Sequence, residues 1–266
     1  MQNRRDRDQN KFRKHNTAPK NDRPDSKDLI IGVKPVVEAI EHEVGIEKVF
    51  MIKGGDHSDL GELAAKIREQ NIPVSFVPKV KLDKLTVHTH QGVVALRSQV
   101  KYHNIIDLAK EYKEIEKNGL FLALDRITDV RNIGAISRSA VCFDVDAIIV
   151  PMQESGQINA EAVKSSAGAL NLIPVCREKS LLVTLEELQA LDYQIVVASE
   201  KSEQHLSDLK LQGPTVIVMG NESNGVSDKI INGADQSFKI EMSGVFDSLN
   251  VSVAAGVALY EISKQR

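Results

Sequence analysis

The chain has 266 residues, of which 42% are hydrophobic, and a net charge of −3 at pH 7. This length favours more than one domain, since about 100–200 residues per domain is usual, and no apolar run approaches the roughly 20 residues that a membrane-spanning helix needs. The charged start, MQNRRDRDQNKFRKHN, lacks the apolar core of a secretory signal, and Cys142 and Cys176 lack the spacing of a metal or disulfide site. We therefore expect a cytoplasmic protein that holds no metal and does not contact a membrane.

Residues 1–28 form a basic N-terminal tail with nine Lys or Arg and five Asp, a net charge of +4 that leaves −7 on the rest of the chain. The tail has no periodic apolar residues, and this composition is typical of disordered chain. Two interpretations stay open. The tail is either a non-specific arm that attracts the phosphates of a nucleic acid or a solubilising segment.

A small α/β domain is predicted over residues 29–98. Its helices and strands alternate, with helices at 34–43 and 58–70, strands at 47–52, 72–77 and 92–97, and a short helix before the last strand. His88 and His90 lie just before that strand, and we interpret them as structural, with contact to RNA as the alternative. Residues 99–118 are polar and charged, so we predict a partly helical linker there.

A larger domain is predicted over residues 119–266. Apolar runs without alternation indicate strands that are covered on both faces, and helical stretches separate these runs. Such an order predicts a parallel, doubly wound sheet, in which ligands bind beyond the carboxyl ends of the strands. The predicted strands are 119–125, 146–150, 193–199, 215–220 and 237–242, and the predicted helices are 133–143, 159–170 and 181–191.

Two of the loops that follow these strands carry polar residues at helix starts. In LDRITDVRNIGAISRSA (124–140), Asn132 is a candidate helix cap and Arg138 lies off the apolar face of the helix. In MSGVFDSLNVSVAAGVALYE (242–261), we expect Asp247 or Ser248 to cap the last helix, with Asn250 inside its first turn. Each residue taken alone indicates a structural role.

The loop between them, VIVMGNESNGV (216–226), has two glycines six residues apart after a strand. A phosphate-binding loop would end in Gly-Lys-Ser/Thr, but no Lys or Arg lies between residues 215 and 228, and Glu222 occupies the middle. The residues Ser223-Asn224-Gly225 favour a tight turn instead. This loop is therefore not a phosphate cradle.

Taken together, the three motifs resemble the SpoU (TrmH-like) family of RNA ribose 2′-O-methyltransferases. The motifs are Asn-x5-Arg in DRITDVRNIGAISRSA, Gly-x-Glu-x-x-Gly in VMGNESNGV, and Ser-Leu-Asn-Val-Ser in IEMSGVFDSLNVSVAAG, and KSSAGAL (164–170) is also similar to the family. This resemblance covers residues 119–266. Residues 29–98 resemble the accessory RNA-binding domain of the family, which is similar to ribosomal α/β proteins.

The resemblance implies a fold, a cofactor and partners. The fold is the SPOUT architecture, a parallel sheet with a C-terminal trefoil knot, preceded by the accessory domain. The cofactor is S-adenosyl-L-methionine, and the partners are RNA and a second copy of the chain. The chain departs from the family at Glu241, where Pro is usual, and at Asp144, where Gly is common.

The resemblance also implies site residues. The main chain that contacts the cofactor should be that of Gly220, Ile240 and Leu249, and the catalytic set should be Asn132, Arg138, Glu222, Ser248 and Asn250. Because a guanidinium stays protonated, we expect Arg138 to donate a hydrogen bond to the attacking ribose oxygen or to a neighbouring phosphate. Glu222 would orient Arg138 or hold a ribose or cofactor group, and the three neutral side chains would fix the loops.

Several functions stay open at this point. The resemblance favours a guanosine of large-subunit (23S) rRNA as the substrate, with tRNA as the alternative. A non-catalytic knotted RNA-binding protein is an alternative from another class. A doubly wound small-molecule enzyme with a nucleotide cofactor is a further alternative, which the missing phosphate-loop motifs disfavour.

Overall fold

The computed structural model describes residues 28–54, 58–244 and 248–265, which build one four-stranded and one seven-stranded β-sheet. Almost all of the basic tail, residues 1–27, lies outside the described residues, as does Asp247. Among the described residues, none of the helices is long and apolar enough to cross a membrane.

The N-terminal domain is built around the four-stranded sheet, whose strand order is β1-β4-β2-β3. The strands β2 and β3 are parallel, and β4 runs antiparallel to both of its neighbours. Helices α1 and α2 cover one face with Val36 and Leu63, while α3 covers the other with Leu82. The elements are β1 (Leu29–Ile31), α1 (Val33–Glu41), β2 (Ile46–Ile52), α2 (Ser58–Glu69), β3 (Val74–Val77), α3 (Lys79–Leu85) and β4 (Val93–Arg97).

The C-terminal domain is built around the seven-stranded sheet, in which every strand pair is parallel and the strand order is β11-β9-β10-β6-β7-β8-β5. This confirms the predicted parallel sheet. Its elements are β5 (Tyr102–His103), α4 (Ile105–Glu114), β6 (Leu120–Asp125), α5 (Val130–Cys142), β7 (Ala147–Pro151), α6 (Ala160–Ser165), β8 (Val175–Glu178), α7 (Leu181–Gln189), β9 (Gln194–Ala198), β10 (Thr215–Gly220), α8 (Asp228–Gly233), β11 (Gln236–Phe238) and α9 (Val251–Ser263).

The central strand β6 shows why the apolar runs are strands. All six of its residues are buried. Leu122 and Leu124 pack into the core on one face of the sheet, whereas Phe121 and Ala123 pack into the core on the other face. Since both faces are covered by helices, every position of the strand is apolar until Asp125.

The segment 99–118 does not behave as a linker. Tyr102 and His103 form the edge strand β5, which pairs with Val175 and Cys176 of β8, and α4 follows directly. Ile105 and Ala109 of α4 are fully buried. The sequence did not predict the strand and helix, because each of them buries only a narrow face and most of its residues are polar.

Two further predictions differ from the structure. The strand β8 was not predicted, because its short apolar run continues into the polar residues Arg177 and Glu178. The strand expected over 237–242 ends at Phe238, and the chain from 239 onward leaves the sheet. The trefoil knot stays a prediction.

Two residues that the sequence singled out have structural roles in the fold. His90 is buried, accepts a hydrogen bond from the Gly92 N–H on Nδ1 (3.0 Å), and holds Nε2 at 3.0 Å from Asp83. Asp144 follows the end of α5 with a φ of 55°, in the left-handed region that favours glycine. This conformation explains why the family commonly has Gly at that position.

Candidate active site

The three motif loops meet at one edge of the large sheet. The last residues of β6 and β10, Asp125 and Gly220, are paired neighbours in the parallel ladder. The loops that follow them leave the sheet at its carboxyl edge, and Asn250, at the start of α9, lies at the same place. This edge is where an open parallel sheet binds ligands.

Asp129, rather than Asn132, caps α5. Its side chain accepts a hydrogen bond from the Arg131 N–H (2.9 Å), and α5 begins at Val130. The Arg131 guanidinium also donates to Asp129 and lowers the pKa of that carboxyl group. The prediction that Asn132 is the cap is therefore wrong. Asn132 lies inside the first turn, and its side chain points away from the helix toward Glu222.

Glu222, on the second loop, accepts hydrogen bonds from polar residues of the other two. Its Oε1 accepts hydrogen bonds from Asn132 Nδ2 (3.0 Å) and Asn250 Nδ2 (2.6 Å), and the Val251 N–H lies 3.4 Å away. Asn250 Nδ2 also reaches Asn132 Oδ1 at 3.2 Å. Because a carboxylate only accepts hydrogen bonds, both amides must turn their NH₂ groups toward it. We call Asn132, Glu222 and Asn250 the polar triad.

Asn250 caps α9, so the expected cap at Ser248 is wrong. The Asn250 side chain accepts from the Ser252 N–H (3.0 Å) and from Ser252 Oγ (2.5 Å), and α9 begins at Val251. Ser248 lies two residues before the cap and is exposed. The N-terminal ends of α5 and α9 thus flank Glu222, where their N–H groups favour negative charge.

The loop after β10 is a tight turn that requires glycine at its base. A Cβ on Gly220 would lie 2.0 Å from the Gly225 carbonyl carbon, because the loop folds back closely over it. The Asn221 side chain accepts from the Ser223 and Asn224 N–H groups at 3.0 and 2.7 Å. Gly225 has a φ of 62°, which confirms the turn that the sequence predicted.

Sequence reasoning missed two residues that hold this turn in place. The buried Asp125 accepts from the Ser227 N–H at 2.8 Å, and Arg126 donates from Nη2 to the Gly225 carbonyl at 3.2 Å. The available signal was the position of Asp125, a carboxylate placed directly after a fully apolar strand. These contacts join the first loop to the second.

A cavity of about 370 Å³ opens beside the polar triad. It is lined by all three residues expected to contact the cofactor, Gly220, Ile240 and Leu249, and also by Glu222 and Ser248. The Ile240 and Leu249 N–H groups have no acceptor among the described residues. The cavity therefore offers apolar walls and main-chain donors to a ligand.

Arg138 is not part of the polar triad and does not line this cavity within the described chain. It is exposed on α5, and it makes no hydrogen bond or ion pair with any residue that the structure describes. Its neighbour Ser139 faces α9, where a Cβ on Gly256 would lie 3.6 Å from Ser139 Oγ. The structure thus brings four of the five expected catalytic residues to the cavity or triad and leaves Arg138 on a neighbouring surface.

The described residues include no group of three or more His, Cys, Asp or Glu side chains placed to hold a metal ion.

Two family models match the chain, one on each domain. The SpoU rRNA Methylase family matches residues 119–260, and the RNA 2′-O ribose methyltransferase substrate-binding family matches residues 29–103. The parallel sheet with its cavity and the α/β domain before it define an RNA methyltransferase of two domains. The chain belongs to the SpoU rRNA Methylase family.

Curated relatives match over nearly the whole chain. A protein of Bacillus subtilis described as a TrmH family tRNA/rRNA methyltransferase is 30% identical over 239 residues, which cover 90% of this chain and 96% of the relative. A tRNA/rRNA methyltransferase of Mycolicibacterium smegmatis is 34% identical over 244 residues, covering 91% and 78%. The similarity therefore includes both domains.

Solved structures are similar over both domains as well. The SpoU methyltransferase AviRb of Streptomyces viridochromogenes, in complex with AdoMet, has a TM-score of 0.56 and 26% identity, and 90% of each chain is covered. An AdoMet-bound rRNA methyltransferase of Sinorhizobium meliloti has a TM-score of 0.57 and 24% identity, covering 89% of this chain and 86% of that one. The second match supports the fold alone.

Proposed function

We propose that this protein transfers the methyl group of S-adenosyl-L-methionine to a ribose 2′-hydroxyl of RNA, at a guanosine of large-subunit (23S) rRNA. The observation that carries the proposal is the convergence of Asn132, Glu222 and Asn250 beside a cavity lined by Gly220, Ile240 and Leu249. These residues come from three separate loops.

The cavity fits the proposed cofactor. Its volume, about 370 Å³, falls within the roughly 300–1,000 Å³ of small-molecule sites. The Ile240 and Leu249 N–H groups, which have no acceptor in the part of the chain that the structure describes, can donate to ring nitrogens of an adenine, while the apolar side chains contact its faces. AviRb, whose structure contains AdoMet, is similar over 90% of the chain. Gly220, Ile240 and Leu249 are thus proposed to hold the cofactor.

The reaction needs a hydroxyl that becomes a better nucleophile. The cofactor supplies an electrophilic methyl group on a cationic sulfur. As the O–CH₃ bond forms and the S–CH₃ bond breaks, the hydroxyl proton leaves to a phosphate or to water. Partial negative charge on the oxygen and positive charge on the sulfur both diminish, so a dry, prepositioned site favours the step.

Arg138 is proposed to stabilise the ribose oxygen by donating a hydrogen bond. It stays protonated, because the pKa of a guanidinium lies above about 12, and so it is not the base. It has no partner in the described chain, and its donors are therefore available to the RNA. An exposed arginine can approach the hydroxyl or the adjacent phosphate as a directional fork.

Glu222 is proposed to hold the ribose or the cofactor through its second oxygen. Its Oε1 is occupied by the amides of Asn132 and Asn250, whereas Oε2 has no donor among the described residues. The two amides fix the carboxylate in one rotamer. Oε2 can then accept a hydroxyl hydrogen bond, while Ser248 at the cavity wall supports the loop.

The substrate is proposed from the domain that precedes the catalytic one. Residues 29–103 match a substrate-binding family of RNA 2′-O ribose methyltransferases. The tail 1–28 adds a net charge of +4 that can attract phosphates. An rRNA substrate is favoured, and tRNA is the alternative outcome of the test below.

A homodimer is proposed through the exposed face of α9. Val253, Val257 and Tyr260 lie on one face of this helix at spacings of four and three residues and are 52%, 40% and 56% exposed. Tyr260 also packs edge-on against Phe143 of α5, with ring centroids 5.9 Å apart. A continuous apolar stripe of this kind is typical of an interaction surface, and a second copy of the chain would cover it.

Incubation of the purified protein with tritiated S-adenosylmethionine and total RNA tests the proposal. We expect label in RNA, at the ribose of the modified nucleotide, and most of it in large-subunit rRNA. Label in tRNA instead would replace the substrate but keep the reaction. Absence of label with every RNA fraction would favour the non-catalytic RNA-binding protein, and binding of dinucleotides without binding of S-adenosylhomocysteine would favour the small-molecule enzyme.

A further inference from the structure

A buried arginine connects the two domains. Arg177 lies on β8, next to the edge strand of the large sheet, and its guanidinium reaches β2 of the small domain. Its Nη1 lies 3.0 Å from Glu47 Oε2 and donates to the Glu47 carbonyl at 3.0 Å, while Nη2 donates to the Ile46 carbonyl at 3.1 Å. The side chains of Arg177 and Glu47 are only 10% and 8% exposed.

Tyr102 completes this contact from the other side. It belongs to β5, which pairs with β8, so it is held by the large sheet. Its hydroxyl donates to Glu47 Oε2 at 2.5 Å, and the Arg177 guanidinium carbon lies 4.0 Å from the centre of its ring. Burial, followed by the charge of Glu47, raises the pKa of Tyr102, so the hydroxyl stays protonated and remains a donor.

The geometry of this cluster is more restrictive than that of the exposed ion pairs among the described residues. Exposed pairs such as Lys113–Asp192, with side chains 53% and 79% exposed, tolerate many arrangements and contribute little. A buried pair carries a large desolvation cost, which is offset only when the geometry is good. Here the arginine also needs two successive carbonyls of β2, and a small rotation of the domain would separate them.

We propose that Arg177, Glu47 and Tyr102, which we call the interdomain clamp, hold the substrate-binding domain in one orientation on the catalytic domain. RNA bound by the small domain is thereby presented to the cavity beside the polar triad. Arg177 is a positioning residue, because it contacts neither the cavity nor the triad. The inference rests on the proposed function, since it concerns the substrate of that site.

The clamp predicts that its loss weakens RNA binding but leaves cofactor binding unchanged. Fixing two binding surfaces relative to each other raises the effective concentration of the second contact. We expect Arg177→Gln to raise the KM for RNA at least tenfold, with kcat within threefold and the Kd of S-adenosylhomocysteine within twofold of the wild type. Tyr102→Phe, which loses one hydrogen bond but keeps the ring, should raise KM less.

Two further variants keep the test decisive. Lys113→Gln removes the same charge from an exposed pair of the large domain and should leave all three constants unchanged. If Arg177→Gln folds poorly because it leaves the buried Glu47 without its counter-charge, the double variant Glu47→Gln/Arg177→Gln removes both buried charges. We expect this variant to fold, to bind S-adenosylhomocysteine normally and still to show the raised KM.

Tryptic cleavage between the domains gives a readout that does not depend on activity. We expect cleavage after Arg97 or Lys101, on the connection between β4 and β5, to be at least tenfold faster in Arg177→Gln than in the wild type. Unchanged KM and unchanged cleavage would overturn the clamp, as would a parallel loss of cofactor affinity. If the wild type transfers no methyl group, the proposed function fails, while the cleavage rates still test the clamp.

Discussion

The Nδ2 of Asn250 lies 2.6 Å from Oε1 of Glu222, although 28 residues separate them in the chain. Asn250 also begins α9, since its Oδ1 accepts from the Ser252 N–H. One side chain therefore sets the start of the last helix with its oxygen and fixes the carboxylate beside the cavity with its nitrogen. This double use links the stability of the helix to the geometry of the candidate active site.

Alanine substitutions at Asn250 and Ser248 test which of the two residues caps α9. We expect Asn250→Ala to lower the free energy of unfolding by about 1 kcal/mol, the usual cost of losing a helix cap, and to reduce methyl transfer because Glu222 loses a donor. Ser248→Ala should change stability by less than about 0.5 kcal/mol. Urea denaturation of both variants checks this. A larger loss for Ser248→Ala would return the cap to Ser248.

Gly220→Ala should abolish cofactor binding. The added Cβ would lie 2.0 Å from the main chain of Gly225, so the turn that lines the cavity has to open. Gly61→Ala is the matched control, because nothing in the described structure lies within 4 Å of a Cβ added at this position of α2. An exposed helical Gly→Ala change usually raises the free energy of unfolding by about 0.5–1 kcal/mol. Calorimetric titration with S-adenosylhomocysteine should give normal affinity for the control and none for Gly220→Ala.

The buried central strands of the large sheet could be predicted from the sequence, but its edge strand β5, the strand β8 and the helix caps could not. Continuous apolar runs such as β6 have only one explanation in a doubly wound sheet. By contrast, Asp129 and Asn132, or Ser248 and Asn250, are all residue types that cap helices. In α5 the Asn132 amide donates to Glu222 of another loop and Asp129 is the cap, whereas Asn250 both caps α9 and donates to Glu222. Contacts between distant loops leave no local signal.

The contacts at the junction of the domains likewise leave no local signal in the sequence. Tyr102 and Arg177 lie in short strands with mixed polarity, and the segment 99–118 was therefore expected to be a linker. The pairing of β5 with β8 is visible only once the large sheet is assembled, and the contact of Arg177 with β2 only once the two sheets are placed together.

Asp144→Gly should stabilise the protein. Asp144 has a φ of 55° at the end of α5, a conformation that costs glycine little, and its negative charge opposes the dipole at a helix C-terminus. We expect a gain of about 0.5–1 kcal/mol in the free energy of unfolding. Thermal denaturation of the variant and the wild type provides the measurement, and a lower melting temperature would contradict the assignment.

Val257→Glu should dissociate the proposed dimer. A charge in the middle of the exposed stripe of α9 would be buried without a partner in the interface. Val183→Glu is the control, since Val183 is also exposed, at 48%, but lies on α7. Light scattering after gel filtration should give the mass of a dimer for the wild type and the control and of a monomer for Val257→Glu. A monomeric wild type would rule out this interface.

The most direct test of methyl transfer to a ribose is mass-spectrometric mapping of rRNA and tRNA from a strain that lacks this protein. We predict the loss of one 2′-O-methylguanosine in large-subunit rRNA. The wild type and Arg131→Ala, whose arginine is 69% exposed and pairs with the helix cap Asp129, should restore it, whereas Arg138→Ala should not. An RNA methylation pattern identical with and without the protein would contradict the proposed function, and full restoration by Arg138→Ala would remove this arginine from the reaction.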